Sequence, residues 1–477
     1  MSTPPTNQRI LVPPSRFGIA LLLSLAASLL VTTAARADIP LSDPARSSGW
    51  EVTTSGRVDS YGSWLGGETV NRNGMGSAIS GGAGFYTLVG PQIAIIGNPT
   101  PAGAVGDPVK DMNVNSTRVR GGFASTVLNF NISKQISPTV KLSFRLGLWA
   151  GIQNSVVGSV RAQNDVAGVD WREQFLKLDT PYGTLVAGRA LGLFNRGGMR
   201  VNWWLMHRYG VGHPCTVDSG GTASCGHTGV GSLHPGRNAQ VSYATPELAG
   251  LQLTVAALDP SMIPASAGAP LQWVRTIYPR AEFELTFHRG AAGGASGGNE
   301  LNLFVNGLWQ LIGMSTEIAP DANNDLPGVP ADATRTVWGV GGGGWGRIGV
   351  LGLGGTYWAG RGLGTGFSFS TTAVDPRGTM RLHFGYLGIA NLKFDNGLEI
   401  ATSYGSSNVK ETDFDHSPPP ALDLFSVVKE VRGIGGLIAY HYGPVTFSID
   451  GMNIRTTWHK GEVLAANVIS GGVLGEW

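Results

Sequence analysis

Charge is scarce in this chain. Asp, Glu, Lys and Arg make up 14% of its 477 residues, against about 25% in an ordinary soluble protein. Long apolar runs are missing too. After residue 37 no stretch approaches the 18 or so uninterrupted apolar residues that a spanning helix needs, which excludes a helical membrane protein. Cysteine occurs only twice, so at most one disulfide can form. There is no bulk charge of either sign. The first 37 residues carry Arg9, Arg16 and Arg36 and no acid, so without them 34 basic residues fall to 31 against 32 acidic ones. Such a balance excludes a polyanion such as nucleic acid as the main partner. No Ser-His-Asp arrangement or paired-carboxylate spacing stands out, which argues against an enzyme, and no cofactor is implied.

The N-terminus reads as a secretory leader. Arg9 and Arg16 precede an apolar stretch from Phe17 to Val31, and Ala35-Arg36-Ala37 fits the small-residue cleavage rule. The apolar core is shorter than the roughly 20 residues of a membrane anchor. Residues 1–37 are therefore expected to be a signal peptide and 38–477 one domain, since no linker-like change in composition divides the rest.

Glycine is plentiful, with 72 residues, roughly double the average usage of about 7%. Few charges and much glycine suit a lipid-facing β-barrel, whose outer wall is apolar, whose charges are confined to lumen and loops, and whose turns and bends use glycine. The hydrophobic pattern agrees. Trp50, Val52, Thr54, Val58 and Trp64 share one parity, and Glu51, Thr53, Ser55, Arg57, Asp59 and Tyr61 the other. Period two with one polar face is a strand between two different environments. The alternation returns at Val140 to Leu148 against Lys141, Ser143 and Arg145, at Phe283, Leu285 and Phe287 against Arg280, Glu282, Glu284 and His288, and at Val445, Phe447 and Ile449 against Thr446, Ser448 and Asp450.

Sixteen such runs are expected, near residues 50–65, 115–131, 139–153, 168–179, 183–190, 236–244, 249–259, 278–288, 299–312, 333–345, 346–358, 380–394, 397–406, 428–442, 444–455 and 464–477. Connections alternate between long and short, with tight turns at Thr180-Tyr182, Gly344-Gly346, Asp395-Gly397 and Gly443-Pro444. That is the signature of a transmembrane antiparallel barrel with an even strand number. The Gly341–Gly344 run lacks the Gly-Lys-Ser/Thr of a phosphate loop and reads as a turn or kink. Trp64, Trp149, Tyr243, Trp273, Tyr357, Trp358 and Trp458 tend toward strand ends and fit interfacial girdles better than a sugar-binding strip.

Three passages resemble the Gram-negative general porin family. They are the opening strand Val52-Thr53-Thr54-Ser55-Gly56-Arg57-Val58, the segment from Phe175 through Thr180-Pro181-Tyr182-Gly183 to Gly188-Arg189, and the segment from Asn238 through Tyr243-Ala244-Thr245-Pro246 to Gly250. They fall in the family's order and at its distances. The terminal aromatic is Trp477, where the family uses phenylalanine. The resemblance implies a homotrimer of sixteen-stranded barrels in the cell outer membrane, in contact with lipid and lipopolysaccharide, passing small hydrophilic solutes and ions. It also implies a third long loop, here residues 190–236, folded into the lumen as a constriction. The alternative is a substrate-selective channel that recognises an anion or a sugar through its long loops.

Selectivity in such a channel follows from pore width and rings of charge. Arg57, Arg118, Arg120 and Arg145 have lumen parity and match the arginine ladder that the resemblance implies, and Arg189 is added from the Gly-Arg motif. The other reading is that they only solvate the lumen or touch lipopolysaccharide. The third loop departs from its relatives, which carry acids there. Between Leu191 and Gly236 it holds one acid, Asp218, against Arg196, Arg200 and Arg208, with His207, His213, His227 and His234. Anion preference is the expectation. Cys215 and Cys225 lie in the same loop, nine residues apart in between. In an exported protein they suggest a disulfide. Free thiols, or a zinc site with His213 and His227, remain the alternatives.

Overall fold

The computed structural model describes residues 39–477 apart from 43–47, 68–115, 124–125, 151–168, 214–223, 264–274, 277, 291–298, 315–316, 318, 321, 323–327, 367–368, 370–372, 376, 418–426, 460 and 462. The expected leader, residues 1–37, lies outside the described residues.

Sixteen antiparallel strands close into a barrel. In chain order they are β1 (Trp50–Gly67), β2 (Ser116–Arg120 and Thr126–Ser137), β3 (Val140–Ala150), β4 (Val169–Thr180), β5 (Gly183–Leu191), β6 (Arg237–Ala244), β7 (Leu251–Leu258), β8 (Arg280–Gly290) and β9 (Glu300–Gly313). There follow β10 (Thr334–Ile348), β11 (Leu351–Arg361), β12 (Leu382–Lys393), β13 (Leu398–Lys410), β14 (Val428–Tyr442), β15 (Val445–Trp458) and β16 (Val463–Glu476). Each pairs with its neighbours in sequence, and β16 closes on β1 in a register from Ala466↔Gly67 to Glu476↔Arg57. Trp477 continues the seam, exchanging backbone hydrogen bonds of 3.0 Å with Gly56. Beyond it Ile39–Pro40 pairs with Thr54 and Thr53, so the edge of β1 left over by β16 is not bare.

Period two sorts the side chains. Val241, Val255, Phe283, Leu285, Val305, Leu353, Ile434, Ile438 and Ile449 point outward and are exposed, forming the apolar belt a bilayer would cover. Their neighbours Arg57, Asp59, Glu282, Glu284, Ser403, Ser448 and Asp450 point inward and are buried.

Some expectations are corrected. The turn placed at Gly344–Gly346 lies instead at Gly349–Val350, between Ile348 and Leu351, where Gly349 takes a positive φ of 56°. The Gly341–Gly344 run is mid-strand in β10, paired with Phe304 to Asn306 of β9 and Thr356 to Trp358 of β11 among others. Without side chains the run carries no alternation to read. β2 reaches Ser137 and is broken between Arg120 and Thr126, where Asp59 takes the backbone N–H of Gly122 at 2.9 Å. Tyr243 and Tyr357 do face outward, but Trp358 and Trp458 are buried on the inner side. Trp273 lies outside the described residues.

Candidate functional site

The connection between β5 and β6 holds the helix α1 (Arg196–Leu205) and a 3-10 turn, His207–Tyr209. Its ends are tied by Gly192 N–H donating to Gly236 O at 3.0 Å. Two glycines at the start of α1 allow close packing: a Cβ on Gly197 would come within 2.3 Å of the Phe304 ring, and one on Gly198 within 3.0 Å of Thr356 Oγ1. The helix then lays Val201 and Leu205 into a cluster with Phe304, Leu387, Ile389, Ala401 and Leu437. These strand residues break the rule of a polar inner face because α1 covers them. Past the helix, Val230 and Gly231 press on strand backbone, and a Cβ at Gly231 would sit 2.2 Å from Tyr386 O.

The polar contacts of this segment fall on inward side chains from β1, β8, β11 to β13, β15 and β16. Glu282 accepts the N–H groups of Leu193 and Phe194 at 2.6 and 3.0 Å. Arg196 donates to Glu284, Nε at 2.8 Å and Nη2 closer still. Arg208 donates to Glu476 at 3.0 to 3.2 Å. Asp450 accepts from Val211 N–H at 3.2 Å and Gly212 N–H at 2.7 Å. Asn391 Nδ2 donates to Leu205 O at 3.0 Å, Trp358 Nε1 to Gly231 O at 3.1 Å, and Ser448 Oγ to Tyr209 O. A segment outside any sheet must satisfy its backbone somewhere, and here wall carboxylates and amides do so.

These contacts recast the candidate arginines. The sequence leaves each free to act on ions, whereas the structure pairs Arg57, Arg145, Arg196 and Arg208 with acids. Arg57 lies 3.6 Å from Glu476, donates to Arg208 O at 2.7 Å, and stacks its guanidinium 5.3 Å above Trp203. Arg145 binds Glu173 at 2.8 Å. Arg196 and Arg208 are held as above. Arg120 is buried; of Arg118 only the backbone, in β2, is described. Arg189, at the end of β5, and Arg200, on α1, have no hydrogen bond or ion pair among the described residues. Asp218 and Cys215 lie outside the described residues, and Cys225 is buried.

Arg189 lines a cavity of 260 Å³ bounded by α1 and the walls β3 to β6, together with Trp149, Arg172, Met199, Trp203 and Arg237. Arg172 and Arg237 escaped the sequence reading, and Trp149, expected in an interfacial girdle, lines the cavity beside them instead. Arg172 sits where β4 has one residue more than β3, between the pairs Gly147↔Glu173 and Leu148↔Trp171, and a bulge shifts parity without a sequence mark. Glu476 was hidden by the weak alternation of the last strand.

Beside the anchors lie three buried histidines. His207 Nδ1 faces Asn202 Oδ1 at 2.7 Å, His213 Nε2 faces Thr228 O at 2.6 Å, and His227 Nε2 meets Ser403 Oγ at 2.6 Å. The rings of His207 and His227 are 4.9 Å apart. Burial, with His213 nearby, pushes His207 down to about 3. Burial, then His207 and His213, holds His227 well below its usual range. Among the described residues no group of three His, Cys, Asp or Glu side chains has the geometry to hold a metal; Cys215, which the zinc alternative needs beside His213 and His227, lies outside them.

A pH dependence follows. In the unfolded chain the imidazoles of His207 and His227 titrate near the usual value of about 6.5; in the folded one they stay neutral far below it. Above that pH both states are neutral and the stability is whole. As pH falls toward 3 the unfolded chain gains protons that the folded chain refuses, and each such histidine removes about 1.4 kcal/mol per pH unit. The midpoint of denaturant unfolding should therefore drop between pH 7 and pH 4, and drop less in His207→Gln. The same pH dependence in both proteins would refute this account of the cluster.

No protein-family model matches this chain, and neither does any curated protein sequence. Among solved structures, the outer membrane channel DcaP of Acinetobacter baumannii superposes with a TM-score of 0.58 at 14% identity, over 90% of this chain and 98% of that one. An anion-selective porin from Comamonas acidovorans gives 0.52 at 9% identity, over 90% and 100%. At such identities the likeness is one of fold: this chain has the sixteen-stranded barrel architecture found in outer-membrane porins.

Proposed function

We propose that the chain is an outer-membrane porin, a passive channel for small hydrophilic solutes and ions with a preference for anions, and no enzyme. The observation that carries this reading is a closed barrel with an apolar belt outside, a polar face inside, and a long segment bonded to that inner face. Contacts with β1, β8, β11, β12, β13, β15 and β16 at once are reachable from within the barrel and not from one rim. They support reading residues 190–236, of which 214–223 lie outside the described residues, as the constriction.

The anion preference rests on a smaller set of charges than the sequence suggests. Glu284 and Glu476 offset Arg196 and Arg208, which leaves Arg189 and Arg200 as the uncompensated ones. An unscreened charge 4 Å from an ion changes its energy by about 4 kcal/mol at an effective dielectric of about 20. Export through the leader 1–37, a homotrimer, and contacts with lipid and lipopolysaccharide belong to the same reading. So does a Cys215–Cys225 disulfide that pins the tip of the constriction segment, stabilising it by about 2–3 kcal/mol in the chain-entropy picture.

Two measurements test these points. In a planar bilayer under a salt gradient the reversal potential should indicate anion preference, and Arg189→Glu with Arg200→Glu should move it toward cations. Strong cation selectivity of the unaltered protein would contradict the assignment. For the cysteines, denatured but unreduced protein should resist alkylation; labelling of both would remove the disulfide.

A further inference from the structure

The cavity beside α1 is built unlike a general diffusion path. One wall is Trp149, with the guanidinium carbon of Arg237 at 4.8 Å and that of Arg172 at 6.0 Å from its ring. The facing wall is apolar, formed by Met199 and Trp203 of α1 together with Phe123. Charge is arranged asymmetrically. Asp170 is taken by Arg172 at 2.7 Å and Glu173 by Arg145 at 2.8 Å. Arg237 Nε lies 3.8 Å from Glu173 Oε1, too far for a hydrogen bond, and has no hydrogen-bond partner though it is buried. Arg189 adds a second guanidinium with no acid among the described residues. His234 also lines the space; burial, then Arg237 and Arg172, push it down to about 3. Its Nδ1 accepts Gly236 N–H at 2.9 Å, so the neutral ring keeps its proton on Nε2 as a donor.

We propose that this cavity is a binding subsite for a small monocarboxylate with a flat apolar body, a site that rests on the channel reading and narrows it to one solute class. The carboxylate meets Arg189 and Arg237, whose planar donor forks match its two oxygens. The apolar body lies against Met199, Trp203 and Phe123. Chloride satisfies the charge and leaves that wall wet. A neutral sugar leaves Arg189 without a counter-charge and offers Arg237 Nε no charged acceptor in a desolvated place. An inorganic phosphate brings charge and no apolar surface. The volume of 260 Å³ has room for a single ring and its carboxylate.

Three probes separate the contributions: benzoate carries ring and charge, acetate the charge alone, benzyl alcohol the ring alone. By titration calorimetry on the full chain in detergent, benzoate should bind at least about tenfold more tightly than either of the others. Arg189→Gln should weaken benzoate about tenfold or more, and Met199→Ala should weaken benzoate while leaving acetate unchanged. In bilayers benzoate should depress the chloride current saturably. Benzoate binding no tighter than acetate, or an affinity untouched by Arg189→Gln, overturns the subsite. A protein that binds benzoate but passes no current keeps the subsite and loses the channel; one that conducts chloride without a saturable benzoate effect keeps the channel and loses the subsite.

Discussion

Buried carboxylates on the inner wall need donors, and the β5–β6 segment supplies them. Glu282, Glu284, Asp450 and Glu476 each face into the barrel at a position with little contact with water, where an unpaired carboxylate is costly. The segment has the opposite need, since among its described residues little of the backbone is in a helix and none of it joins the wall sheet. Matching the two needs fixes where α1 lies, where the chain turns at Gly210–Gly212, and which arginines stay free. The arrangement is reciprocal where the pair stands alone: removing Arg196 leaves Glu284 buried without its salt bridge, a loss of about 3–5 kcal/mol for a buried ion pair, whereas Glu282 keeps Arg280 at 3.0 Å and Glu476 keeps Arg57 at 3.6 Å.

The inner surface takes its composition from this arrangement. Apolar side chains such as Leu387, Ile389 and Leu437 point into the barrel and are dry under α1, and Val230 closes a second cluster with Val431, Met452, Ile454 and Trp458. Glycines at 197, 198 and 231 permit the contact distances. On the side of β3 to β6 a cavity remains, and its walls carry Arg189, which no acid among the described residues neutralises. In the proposed channel, selectivity is then a local property of that side and no longer a sum over every arginine in the lumen.

The barrel was legible in the sequence because period two repeats over sixteen strands and tight turns alternate with long connections between them, so an error at one boundary is corrected by its neighbours. The misplaced turn at Gly344–Gly346 arose where glycine removes the alternating signal. Lumen parity singles out Arg57 and Arg145 in the sequence, and the paucity of acids in the loop is plain there too. What that reading lacked was the partner set. Glu284 and Glu476 are 88 and 268 residues from the arginines they hold, and no local pattern reports such a pairing. Arg172 and Arg237 were missed for related reasons, one at a bulge and the other at a strand end whose neighbour, the loop, was unknown.

The most direct test is the unit conductance of Glu282→Gln with Asp450→Asn, which weakens the two carboxylates that grip the backbone at either end of the anchored stretch while keeping side-chain size. If wall carboxylates hold residues 192–236 across the lumen, single channels of this variant should conduct more than the unaltered protein and show added open-channel noise. Conductance and noise unchanged in a properly folded variant would contradict the account.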